Sequence, residues 1–179
     1  MSLTLATLLP GLFLLALGVP LLLNSSRAIA ALRAMPRSTN AAYVFFGVGA
    51  IWFLYNVWHL SPADFGDYRV LLTIGFGAVA VFAFKCVPDF LAVRGLCVLT
   101  LLSASPLLGA AYMEYERPQR LFMVTLVYVF IALAIWLGAS PFRLRDFFQW
   151  LFARSTRSRG LGAALAGYGL LLAIVAFTY

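Results

Sequence analysis

The chain holds a single histidine, His59, the one side chain whose unperturbed charge changes near neutral pH. It closes the run Tyr55-Asn56-Val57-Trp58-His59, and Asp64 and Asp67 follow shortly after. A histidine general base needs a nucleophile or substrate within hydrogen-bond reach and a second group to orient its ring. Asp64 or Glu114 is the available orienter, and His59 with these outer acids would then act on lipid at a membrane rim, with Asn56 a further polar candidate beside them. The same residues also suit an ordinary helix end, because Trp and His anchor spans at the membrane boundary. Lys85, Asp89 and Arg94 form a second candidate group. Charges near an apolar segment mark an ion path or a paired turn, and Asp89 is expected to pair with one of its two basic neighbours. Ser103 and Ser105 form the third group. They precede Pro106, whose ring frees a backbone carbonyl, so the bend is expected either to open a weakly polar cavity or to turn its hydroxyls onto the helix itself.

Several chemistries lack their residues altogether. There is no Walker loop, no His-Glu-x-x-His, no Gly-x-Ser-x-Gly and no pair of carboxylates inside an apolar run. One histidine excludes bis-histidine haem ligation within one copy, and Cys86, Cys97 and His59 make no convincing zinc set. Both thiols are expected to be free, buried and unreactive. The sequence thus assigns no catalytic residue, no cofactor and no metal.

The elements that must position these residues are apolar helices. Hydrophobic residues make up 64% of the 179, charged residues 11%, and the mean hydropathy is +0.97. A soluble domain of this length is far more polar. Crossing a hydrocarbon core of roughly 30 Å takes about 20 apolar residues in a helix, and six stretches qualify. They lie near 3–23, 41–60, 68–87, 91–113, 121–139 and 160–178. The runs are continuous rather than alternating, which excludes a β-barrel. The fold class is therefore an all-α integral membrane protein, one six-helix transmembrane domain over 1–179. Its first span, carrying Pro10 and Pro20, is expected to be retained rather than cleaved and to kink at Pro10.

Ten of the thirteen Lys and Arg residues fall in the first, third and fifth connections. Basic loops stay on the cytoplasmic side, so both termini are expected outside. Arginine-rich, lysine-poor usage without an organelle-targeting segment fits a bacterial inner membrane. The net charge of +7 follows from topology and does not point to nucleic acid.

Residues 142–156 interleave aromatic, aliphatic and basic side chains. Leu144, Phe147, Phe148 and Leu151 follow helical spacing, which predicts an amphipathic interfacial helix before the last span, with a shorter counterpart at 29–35. Arg143, Arg145, Trp150, Arg154, Arg157 and Arg159 are its candidate contacts to anionic lipid headgroups. Cutting near 60 and 112 gives three units of span, basic loop and span. Pro20, Arg33 and Arg37 roughly match Pro141, Arg154 and Ser158, although any six-span chain ends helices with proline and carries arginine inside. Small residues stand at close helical spacing, above all Gly160, Gly162, Ala163, Ala164, Ala166, Gly167 and Gly169, where they permit close helix contact. The leading functional expectation is a non-catalytic accessory or assembly subunit that associates with other integral membrane proteins or with itself. A small transporter or channel and a lipid-modifying enzyme at His59 are the alternatives.

Overall fold

Inside a membrane an apolar run has no water to bond its backbone, so each N–H and C=O must be satisfied within the segment. The computed structural model, which describes residues 1–179, meets that requirement with eight helices and no strand. They are α1 (Leu3–Leu22), α2 (Ser26–Ala34), α3 (Thr39–Trp58), α4 (Arg69–Cys86), α5 (Leu91–Ala111), α6 (Arg120–Ala139), α7 (Phe142–Leu151) and α8 (Ser155–Ala176). All but α2 and α7 are long and apolar enough to cross a membrane, which makes this a multi-pass helical bundle. Short 3-10 turns at Met35–Arg37, Pro62–Asp64 and Gly66–Tyr68 complete the connections.

Five spans end within two residues of the positions expected from hydropathy. The exception is α8. The interfacial helix α7 stops at Leu151 rather than near 156, Arg154 is extended (φ −135°, ψ 128°), and a new helix opens at Ser155. Arg157 and Arg159 therefore lie in the first turns of the last span. Helix α1 runs unbroken through Pro10 and Pro20, and Pro10 is on its buried side.

The tightest packing joins the first and last spans. Along α1 the buried positions Leu3, Thr7, Gly11, Leu14, Gly18 and Leu21 recur with a heptad period, and along α8 so do Ser158, Gly162, Gly169, Leu172 and Ala176. Two such stripes can remain in contact over many turns. The glycines are what let the backbones touch. A Cβ on Gly18 would stand 2.5 Å from the Ala166 nitrogen, one on Gly11 3.0 Å from the Gly169 carbonyl oxygen, and one on Gly162 would strike the Leu22 nitrogen. Gly11 faces Gly169 and Gly18 faces Gly162, so the helices are antiparallel. At the far end the Thr7 hydroxyl reaches Tyr179 Oη at 3.4 Å, bringing both termini together.

Helix α5 is the hub of the remaining spans, packing on α3, α6 and α1. Gly95 lies directly against the α3 backbone at Phe45 and Phe46. Leu3, Ala6 and Leu14 of α1, Ala104 of α5, Met123, Leu126 and Val127 of α6, and Leu172 of α8 share one apolar cluster. A second, nearer α7, joins Val93, Cys97, Ala134 and Leu144. Helix α4 is outermost and has no buried residue; it meets α3 through aromatic contacts, Tyr43 to Phe84 at 5.0 Å and Phe53 to Phe76 at 5.2 Å. The main contacts, α1 with α8, α3 with α5, α3 with α4 and α5 with α6, all cross between the three sequence units. No unit is a hairpin packed chiefly on itself.

Cys97 is buried in the second cluster as expected, but Cys86 is exposed, because it closes the outermost helix α4, which buries no residue. A small maleimide is expected to label Cys86 in the folded, detergent-solubilised protein and to reach Cys97 only after denaturation. Equal labelling of both before denaturation would contradict the packing of α5 against α6 and α7.

Candidate functional site

The two short helices gather at one end of the bundle. Helix α7 packs on α2 and on the Met35–Arg37 turn. It buries Leu144 and Leu151, with Phe148 partly covered between them. Phe147, expected on the same stripe, instead lies outside at 41% exposure and stacks on Trp150, with ring centroids 6.0 Å apart. One stripe of α7 thus holds the bundle while Phe142, Phe147 and Trp150 face outward. Helix α2 begins at Ser26, earlier than the 29–35 segment expected from sequence.

The arginines at this end are held by aromatic rings and carbonyls. Arg157 lies over Trp150 at 4.4 Å, and its Nη1 donates to the Trp150 carbonyl oxygen at 3.0 Å. Arg143 covers Trp136 at 5.0 Å. Arg145 pairs with Asp146 at 2.7 Å, the one ion pair in the protein, and also approaches the Phe90 ring, which Arg37 shares. Arg154 and Arg159 are exposed on either side of the α8 start.

Between the α1–α2 turn and the α7–α8 turn lies a cleft of about 710 Å³, bounded by Asn24, Ser26, Arg33, Phe152, Ser155 and Ser158 among others. Arg33 forms its charged wall. Its Nη2 donates to the Phe152 carbonyl oxygen at 2.8 Å, and its guanidinium lies 5.4 Å from the centre of the Phe152 ring. Both helices that open at the cleft have unbonded starts. The first bonded backbone N–H is that of Ile29 in α2 and Arg157 in α8, so the N–H groups of Ser26 and Ser155 have no backbone acceptor. Ser158 is 1% exposed, and its hydroxyl has no hydrogen-bond partner. A buried hydroxyl left unpaired costs about 1–3 kcal/mol; Thr73 Oγ1 in α4 is likewise unpaired, but only Ser158 is among the residues that line the cleft.

The other sequence candidates are not drawn together. His59 is exposed at the end of α3, with Nδ1 2.8 Å from the Tyr55 carbonyl oxygen and its ring 4.2 Å from the Tyr55 ring. That contact is a hydrogen bond when Nδ1 carries the proton, which leaves Nε2 as the free acceptor. Asp64 does not orient it, since its carboxylate accepts from the Ser61 hydroxyl at 2.9 Å. Asn56 is exposed beside it. Asp89 pairs with neither Lys85 nor Arg94, contrary to the expected turn cluster: Lys85 and Asp89 are both exposed, and Phe90 turns the chain with φ 57°. The hydroxyls of α5 bond their own helix, Thr100 Oγ1 to the Leu96 carbonyl at 2.8 Å and Ser103 Oγ to that of Thr100 at 2.8 Å. Ser105 is exposed.

In the sequence Arg33 and Ser158 enter only through topology and the comparison of repeats, and Asn24, Ser26 and Ser155 carry no functional signal of their own. The usable signal was the hydroxyl-rich start of each helix, Asn24-Ser25-Ser26 and Ser155-Thr156, next to arginine. Their juxtaposition needs the α1–α8 pairing, which no local pattern reveals. The fold and its faces define a multi-pass helical membrane protein. Comparison with protein-family models, characterised proteins and solved structures finds no match to this chain.

Proposed function

We propose that the protein is a non-catalytic accessory or assembly subunit of a larger membrane complex, seated in a bacterial inner membrane with the α2–α7 end cytoplasmic and both termini outside. The observation that carries this reading is a second small-residue face on α8. Gly162, Ala166 and Gly169 are used by α1, yet Gly160, Ala163, Ala164 and Gly167 are exposed. A Cβ at Gly160 or Gly167 would meet nothing within 4 Å. Glycine inside a helix costs about 1 kcal/mol relative to alanine, and lipid gives no return for it. A partner helix does, because small residues let two backbones approach closely. The self-bonded hydroxyls of α5 and the isolated His59 favour this reading over a transport path or a lipid-modifying site. Anionic headgroups around Arg143, Arg145, Trp150, Arg154, Arg157 and Arg159 would anchor the α2–α7 end.

Affinity capture of the tagged full chain from native membranes in mild detergent, with mass spectrometry of what remains bound, tests the proposal. A stoichiometric integral membrane partner is the expected result. Recovery as a lone monomer would sink the subunit reading and send attention to solute flux.

A further inference from the structure

The cleft between the α1–α2 and α7–α8 turns presents one arginine, three serine hydroxyls and an asparagine amide, and no acid. Helices α2 and α8 begin there with unbonded N–H groups, while α1 and α7 end there, so the helix dipoles largely offset one another and the first-turn N–H groups act only as local donors. Arg33 adds a full charge already held in position, with one nitrogen on the Phe152 carbonyl and its other N–H groups left for a ligand. Ser158, almost fully buried in the lining, supplies a hydroxyl with no partner in the protein. None of the chain's six acids is among the lining residues. The hydroxyls and the Asn24 amide can serve either sign of ligand, so the unpaired charge of Arg33 and the absence of an acid decide for an anion with several acceptor oxygens. Ile29, Ala30, Ala34 and Phe152 add an apolar wall suited to the carbon part of an ester.

We propose that this cleft binds one phosphate ester group per chain, with Arg33 as the charge partner and Ser158 as the buried donor. The site is independent of the subunit reading and of any partner protein. The same chemistry is carried by a phospholipid headgroup and by a free phosphate, and the test separates them.

The full chain, delipidated in a neutral maltoside detergent, is titrated with phosphatidylglycerol and separately with inorganic phosphate, and bound ligand is counted by native mass spectrometry. One tightly held ligand per chain is expected, saturating before the looser headgroups around the α7 arginines. Arg33→Gln is expected to weaken it about tenfold and Ser158→Ala about threefold, charge-assisted bonds being the stronger. Arg69→Gln, which removes the same charge beside Trp58 at the other end of the bundle, is expected to leave it unchanged. Lipid binding that inorganic phosphate displaces supports the site with the phosphate group alone sufficient. Lipid binding that phosphate does not displace supports it with the acyl chains required, and phosphate binding alone assigns a soluble ester. Binding of neither probe, or an equal loss in Arg69→Gln, overturns the proposal. If Arg33→Gln does not fold, Ser158→Ala decides: unchanged affinity in that variant overturns it.

Discussion

Gly162→Leu is expected to destroy the folded bundle, lowering its stability by about 3 kcal/mol or more, at the top of the range for overpacked cores. The new Cβ would strike the Leu22 nitrogen and press on the Gly18 carbonyl oxygen at 2.8 Å. Backbone cannot rotate away as a side chain can, so the two helices must separate. Separation removes Leu14, Leu172 and Thr7 from their covered positions and breaks the cluster shared with α5 and α6. Against a total stability of roughly 5–15 kcal/mol, such a loss leaves little folded protein. Gly160→Leu, two residues away, is the matched control because nothing lies within 4 Å of its Cβ. Thermal unfolding in mild detergent checks both. The expected result is a collapse of monodisperse protein for Gly162→Leu and an unchanged or slightly raised stability, by no more than about 1 kcal/mol, for Gly160→Leu. Equal effects would contradict the close antiparallel pairing.

Gly167→Leu is expected to do the reverse, keeping the fold and removing the partner. Its position on α8 is open, and replacing a helical glycine raises intrinsic helix stability by as much as about 1 kcal/mol. On the proposed interface the same leucine would hold the partner backbone away. A drop of at least about tenfold in captured partner is expected, equivalent to about 1.4 kcal/mol of association energy. The two glycine substitutions thus separate the two faces of one helix. Undiminished capture by folded Gly167→Leu would move the interface elsewhere, with the uncovered face of α4 the next surface to test.

How much of this was legible before the structure depends on the range of the physics involved. Span number and length follow from hydropathy summed over a window, and so α1, α3, α4, α5 and α6 begin and end close to their expected limits. Helix α8 starts five residues before its apolar run because Ser155 to Arg159 is polar, and polarity beside an apolar run reads as loop although serine and threonine are good helix openers. Leu144, Phe148 and Leu151 of the α7 stripe face the bundle and Phe147 does not, because Phe147 and Phe148 both fit the helical spacing and only the bundle decides which ring is covered. The small residues of α8 were recognised as packing surface. Which of them met α1 was not legible, since Gly160 and Gly162 look alike in sequence and differ by half a helix turn in space. The arginine cleft stayed hidden for the same reason: Arg33 and Ser158 come from opposite ends of the chain, brought together by a pairing of remote helices.

The most direct test of the subunit reading is site-specific photo-crosslinking in native membranes from position 170. Leu170 lies beside Gly167 on the open face of α8, is 54% exposed, and can accept a bulky benzophenone side chain without disturbing α1. The expected result is one discrete protein adduct, lost when Gly167→Leu is combined with the probe. Lipid adducts alone from this position would contradict the account.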